Sequence, residues 1–210
     1  VASAIHNVAF SEEGAQVMAT RGVREVLVAM GVACASDGVR RAVASAIREI
    51  SVVEEGQRVM ATNAVRDVLV AMGVAGATDG VREAVATAIH EIANSDEGQR
   101  VMATRGVCDV LVAMAVASGS GEVQKMVAAA MFNIALLEAG RRLLARVEVR
   151  DVLVGMGRAA ADDGARGAVV CAVGAVSVTE VGRRVMATEA VCGMLAEVHR
   201  RQESEEARTY

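Results

Sequence analysis

Few side chains in this 210-residue sequence could do chemistry. There are three histidines (His6, His90 and His199) and four cysteines (Cys34, Cys108, Cys171 and Cys192). His90-Glu91 sets an imidazole beside a carboxylate, a pairing that holds transition metals when several such pairs converge. The equivalent dipeptides elsewhere read His6-Asn7, Arg48-Glu49, Phe132-Asn133 and Gly174-Ala175. One His-Glu pair cannot supply a ligand set, so neither a metal nor another cofactor is expected. The cysteines lie far apart, without a CxxC pair, in small or apolar surroundings such as VACAS and VVCAV. They read as reduced thiols rather than a disulfide framework or a zinc site, which implies an intracellular protein, cytoplasmic or nuclear. Scattered residues define no Ser-His-Asp or Cys-His arrangement. No catalytic residue is assigned, and the chain is not expected to be an enzyme.

Composition narrows the partners. Hydrophobic residues make up 53% of the chain, yet the aromatic set is only Phe10, Phe132 and Tyr210. Lys and Arg number 22 against 26 Asp and Glu, a formal net charge of -4. Nucleic acid binding calls for a basic surface, and single strands call for aromatic platforms, so nucleic acid is not an expected partner. The longest apolar stretch, Gly167 to Val178, is too short for a membrane span, which needs about 20 residues. No signal peptide is visible, and the start at Val1 reads as a fragment of a longer chain. The absence of Pro and the abundance of Ala, Met and Arg favour helices.

The elements that must position these residues recur at a fixed period. Gly14, Gly56, Gly98, Gly140 and Gly182 follow at steps of 42, within EEGAQVMAT, EEGQRVMAT, DEGQRVMAT, EAGRRLLAR and EVGRRVMAT. Ser11–Val52 and Val53–Asn94 share 29 identities in 42 positions, which reads as recent natural duplication. The units are 11–52, 53–94, 95–136 and 137–178, with a partial unit at 1–10 and a partial or capping unit at 179–210. A period in this range predicts a solenoid. Each unit reads as three helices. The first is the short EEGQRVMA segment, with its acids at the N-terminus. The second spans about Ala64 to Ala75, ended by Gly73 and the Ala77–Gly80 run. The third spans about Val81 to Ala93. Its apolar stripe, Val81, Val85, Ala88, Ile89 and Ile92, recurs in the other units and needs stacked neighbours for burial. Met18, Met60, Met102 and Met186 fill gaps between layers. The paired Arg24-Glu25, Arg66-Asp67 and Arg150-Asp151 are expected on a solvated convex face without pairing to each other, because adjacent helical residues do not face one another.

The second helix Ala64–Val70 and the third helix Val123–Ala135, with its Asn133-Ile134-Ala135 ending, resemble the armadillo repeat. The resemblance extends to about Val198. It implies an all-α, right-handed superhelical solenoid of three-helix repeats acting as a non-catalytic scaffold, with a concave face of third helices that binds a protein or extended peptide. The family usually carries Pro near the start of the second helix, where this chain has Arg24, Arg66, Cys108 and Arg150. Its peptide-binding members carry a Trp and, four residues on, an Asn on the third helix. Those positions read Ser3, Ser45, Thr87, Ala129 and Cys171, then Asn7, Glu49, Glu91, Asn133 and Ala175. Recognition of a basic nuclear-import signal through such ladders is therefore not expected.

One register varies against near-identical surroundings: His6, Arg48, His90, Phe132 and Gly174. The next reads Asn7, Glu49, Glu91, Asn133 and Ala175. Variation there suits either ligand reading or drift of solvated positions. The candidate contacts are Arg48, Glu49, His90, Glu91, Phe132 and Asn133. Phe132 serves either as an exposed anchor or as filler over small residues of the next unit. At the start, Ile5 and Val8 lack covering helices, and self-association through the repeat ends is the alternative function. The closing run HRRQESEEARTY reads as a solvated cap.

Overall fold

The computed structural model describes the backbone of residues 1–209 and the side chains of residues 1–201. Fifteen helices and no strands occur among the described residues. The chain opens with α1 (Ala2–Ala9). Three-helix sets follow: α2 (Glu12–Met18), α3 (Arg21–Ala33) and α4 (Asp37–Ile50); then α5 (Glu54–Met60), α6 (Asn63–Ala75) and α7 (Asp79–Ile92). The next sets are α8 (Asp96–Met102), α9 (Arg105–Ala117) and α10 (Gly121–Ala135), then α11 (Glu138–Leu144), α12 (Val147–Ala159) and α13 (Asp163–Val176). α14 (Glu180–Met186) and α15 (Glu189–Thr209) end it. The expected cap lies outside the residues with described side chains from 202 onward.

Local chemistry sets these boundaries. Thr20, Thr62, Thr104 and Thr188 cap the second helices, each hydroxyl accepting from the backbone N–H three residues on at 3.3–3.4 Å. Ser11, Ser95 and Thr179 cap first helices at 3.1 Å. The Met-Ala-Thr triplet between first and second helices is an inverse γ-turn. Ala61 sits at φ -71, ψ 66, and the Thr62 N–H donates to the Met60 carbonyl at 2.7 Å. The same turn recurs at Ala19, Ala103, Ala145 and Ala187. Gly73 does not end its helix: α6 runs through it to Ala75.

Two layers stack. Second helices pack on second helices, third on third, and each pair joins within its own repeat. The stripe Val81, Val85, Ala88, Ile89 and Ile92 is fully buried, as are Leu69, Met60 and Met102. Burying one such side chain contributes about 1.5–3 kcal/mol, against about 0–1 kcal/mol for a surface ion pair, so the apolar stripe holds the stack. At the α1 end, Val39 is 37% exposed, whereas Val81 and Val123 in its register are at 0%.

The glycines at steps of 42 serve close approach rather than backbone freedom, since no glycine among the described residues has positive φ. A Cβ on Gly98 would lie 1.7 Å from the Ile92 carbonyl oxygen, and Gly14, Gly56, Gly140 and Gly182 face the same obstruction at 1.7–1.9 Å. A second glycine register brings second helices together. A Cβ on Gly31, Gly73 or Gly157 would meet Val68, Val110 or Met194 at 2.3–2.6 Å. Ala115 holds that register in α9, and the α9–α12 joint is less extensive than α3–α6, α6–α9 or α12–α15.

Gly98→Ala is therefore expected to lower stability by about 1–3 kcal/mol or more, because the obstruction is backbone and cannot rotate away. Gly174→Ala, in α13 with nothing within 4 Å of the new methyl, is expected to raise stability by roughly 0.5–1 kcal/mol. Denaturant midpoints of the two variants should move in opposite directions.

Candidate functional site: the third-helix face

α1, α4, α7, α10 and α13 lie side by side, so residues one period apart form rows across the stack. The six candidate residues fall into two groups. Glu49 and Asn133 are buried, while Arg48, His90, Glu91 and Phe132 are half-buried. The buried pair seals joints between repeats. Asn133 reaches back to the preceding third helix: its Nδ2 donates to the His90 carbonyl at 3.1 Å and to Asn94 Oδ1 at 2.6 Å, and lies 3.0 Å from His90 Nδ1. Asn94 in turn donates to Glu91 at 3.2 Å. Glu49 pairs with Arg48 and lies 3.8 Å from His6 Nδ1. The structure thus groups His90, Glu91 and Asn133 in one network and Arg48 and Glu49 in another. Asn133 spends its amide donors inside the protein, where they satisfy a buried carbonyl. Phe132 packs against the core as a half-buried side chain.

Between α1, α4 and α7 the face opens into a cleft of about 320 Å³. Ser3, His6, Arg41, Ser45, Arg48 and Glu83 line it. Of these, Arg48 alone belongs to the candidate set. The row that would carry Trp holds Ser3 and Ser45 here, which leaves the floor open.

Several positioning residues escape the sequence pattern. Asp37, first in α4, reaches across to the next repeat, where its Oδ2 accepts from the Ala77 and Thr78 N–H groups at 3.1 Å each. Its Oδ1 accepts from Arg40 at 2.7 Å. The Arg40 hydrogen bond, partly offset by desolvation and aided by the two backbone donors, holds the Asp37 carboxyl below its usual range. Asp79, one period on, also faces the next repeat: the Ser118 side chain and then Arg82 hold its carboxyl below the usual range. The signal was the recurring Ser/Thr-Asp-Gly before each of these helices, which the sequence reading takes only as the break that ends the second helix. Arg146 reaches Asp109 on the preceding repeat at 2.7 Å.

The adjacent Arg-acid pairs correct an expectation. Arg66 donates through two nitrogens to Asp67 Oδ1 at 2.8 and 2.7 Å, and Arg150 does the same to Asp151. The long arginine chain folds back along the helix, which the Cβ directions of neighbours do not forbid. The two arginine side chains are only 20–21% exposed, while the aspartates stay exposed. All four cysteines are free. Burial pushes the Cys108 thiol up to about 11, so it stays protonated at neutral pH. No group of three or more His, Cys, Asp or Glu able to hold a metal occurs among the described residues, and no helix there is long and apolar enough to cross a membrane.

No protein-family model matches the sequence, and no curated protein matches it. Solved structures do. A designed armadillo repeat protein is 20% identical with a TM-score of 0.75, covering 94% of this chain and 90% of its own. A computationally designed armadillo repeat protein for modular peptide recognition is 21% identical, TM-score 0.74, covering 95% and 90%. A third, a designed armadillo repeat protein in complex with the peptide (KR)4, is 20% identical, TM-score 0.72, covering 94% and 80%. The chain is an all-α solenoid with an armadillo-like repeat fold.

The Asp37 clamp has a pH signature. A carboxyl with a depressed folded-state pKa stabilises the protein above its unfolded pKa, and that contribution is lost as pH falls through the folded value. Asp37→Ala should lower the denaturant midpoint at pH 7, and the gap to wild type should close once the medium is acid enough to protonate Asp37 in the folded chain. A gap that persists unchanged there would show that the carboxylate charge is not what joins the repeats.

Proposed function

We propose that this chain is a non-catalytic interaction scaffold that holds an extended peptide or a partner protein along its concave third-helix face. The observation that carries the reading is the row of third helices itself. It presents consecutive rungs of one surface, bears the cleft, and carries the positions that vary among otherwise near-identical repeats. Each rung adds a few contacts, and register across rungs sets specificity. The peptide complex of the similar designed protein supports the same use of the fold. The free thiols fit an intracellular setting.

Site-specific photo-crosslinking tests the face. Peptides selected on the protein from a displayed random library are offered to chains carrying p-benzoylphenylalanine in place of Ser45 or Ala129, on the third helices. Parallel chains carry it in place of Ala71 or Ala113, exposed on α6 and α9. Crosslinks are expected from the first pair and not from the second. The reverse pattern, or a failure to select any peptide, would sink the reading.

Self-association through the apolar end is the second reading, favoured by the exposure of Val8, Phe10, Val26 and Val39 around α1–α4. Sedimentation equilibrium should then show a concentration-dependent mass that Val26→Glu/Val39→Glu abolishes. A single monomer mass at all concentrations would exclude it.

A further inference from the structure

The first helices form an edge of their own: α2 lies on α5, α5 on α8, and α11 on α14. Just before each stands a residue at the same step of 42: Phe10, Val52, Asn94, Leu136 and Val178. The four apolar members are 48–75% exposed, and Asn94 is exposed as well. Beside this row the charge changes sign along the stack. α2 carries Glu12 and Glu13 and no base; α5 and α8 each carry two acids and one Arg; α11 and α14 each carry one acid and two Arg. The rungs thus run -2, -1, -1, +1 and +1. In α5, α11 and α14 acid and base pair within the helix, as Glu54 with Arg58, Glu138 with Arg142 and Glu180 with Arg184. The middle rung differs. Asp96, Glu97 and Arg100 of α8 are exposed, and their side chains make no hydrogen bond or ion pair among the described residues. The same holds for Glu12 and Glu13.

We propose that this edge binds a second copy of the chain, the two edges running antiparallel about a twofold axis at the Asn94 rung. In a twofold contact, whatever one copy gives the other returns. Antiparallel pairing sets Phe10 against the second copy's Val178 and Val52 against its Leu136, each contact made twice. It also sets the acid surplus of α2 against the basic surplus of α14, and that of α5 against that of α11. Parallel pairing would put like charge on like at every rung. Asn94, the polar member of the row, fixes the register. Opposite Leu136 its amide would be buried without a partner, whereas opposite its own copy the two amides satisfy each other. That register brings α8 against α8, where Arg100 of each copy faces Asp96 and Glu97 of the other. The rung left unpaired inside the chain is the one that must complement itself. Five rungs of three to six exposed residues match the size of a standard interface, about 20–30 residues a side. The surface is independent of the third-helix groove and shares only Phe10 with the α1–α4 end. Head-to-tail joining through that end would grow without limit, whereas the twofold edge closes at two chains.

A charge swap followed by sedimentation equilibrium tests this. Wild type should show a concentration-dependent mass that levels off at two chains. Glu12→Arg/Glu13→Arg and Arg183→Glu/Arg184→Glu, each first shown folded by circular dichroism, put like charge on like in their own pairs. Each alone should weaken the dimer roughly tenfold or more. Their equimolar mixture should recover wild-type affinity, because acid again faces base at both ends. Val26→Glu/Val39→Glu, at the α1–α4 end, should leave the dimer unchanged. p-Benzoylphenylalanine in place of Phe10, in mixed heavy- and light-nitrogen chains, should crosslink to residues 178–184 of the other copy. A monomer at every concentration would overturn the pairing, as would a mass that grows past two chains. So would swap variants that dimerise like wild type, or a mixture no tighter than its components. Crosslinks to residues 10–17 of the other copy would overturn the antiparallel direction, and loss of the dimer in Val26→Glu/Val39→Glu would move the contact to the end of the stack.

Discussion

A carbonyl oxygen at the end of each third helix occupies the space where the next repeat's glycine would carry a side chain. At 1.7–1.9 Å from the built Cβ, the contact leaves no tolerance for even a methyl group. That contact sets the angle at which a short first helix leaves its predecessor. The inverse γ-turn then fixes the second helix, and the capped loop fixes the third. Because the step is the same at each of the five glycines, the helices return to the same orientation each time. The third-helix face is thus a product of the glycine contact repeated, not of any interaction on the face itself.

Much of this was legible in the sequence because it is written in spacing. The constant glycine interval and the stripe Val81, Val85, Ala88, Ile89 and Ile92 need no coordinates to imply stacked three-helix layers. What stayed hidden depends on contacts across repeats. Gly73 looks like a helix breaker by propensity, but it lies inside α6 because the neighbouring second helix needs the room its missing side chain leaves. Asp37 looks like a helix-start residue, and its second oxygen serves the loop of the next repeat. Arg66 and Asp67 look unpaired by Cβ geometry, because that rule ignores how far a guanidinium reaches.

The candidate site was legible in part, for a related reason. Variation among near-identical repeats marks positions that the core does not dictate, and Arg48, His90, Glu91 and Phe132 do retain partial exposure. The same pattern also picks out Glu49 and Asn133, which are buried and bonded to groups outside their own repeat or to a neighbouring side chain. A joint between two repeats can vary as freely as a surface if both sides change together. Periodicity alone cannot separate the two cases.

Ala115 adds one methyl group to a row that is otherwise Gly31, Gly73 and Gly157, at the joint where α9 meets α12. The third helices are carried by the second, so a gap wedged open on one side of the stack becomes a tilt of the rungs on the other. The distance between the α10 and α13 rungs is then governed from a position that no ligand on that face could touch. In mechanical terms the second-helix row is the spacer set of the ladder, and single methyl groups are its gauge. A chain built this way can retune the spacing of its third-helix face by altering residues on the opposite side, leaving every side chain on that face as it was.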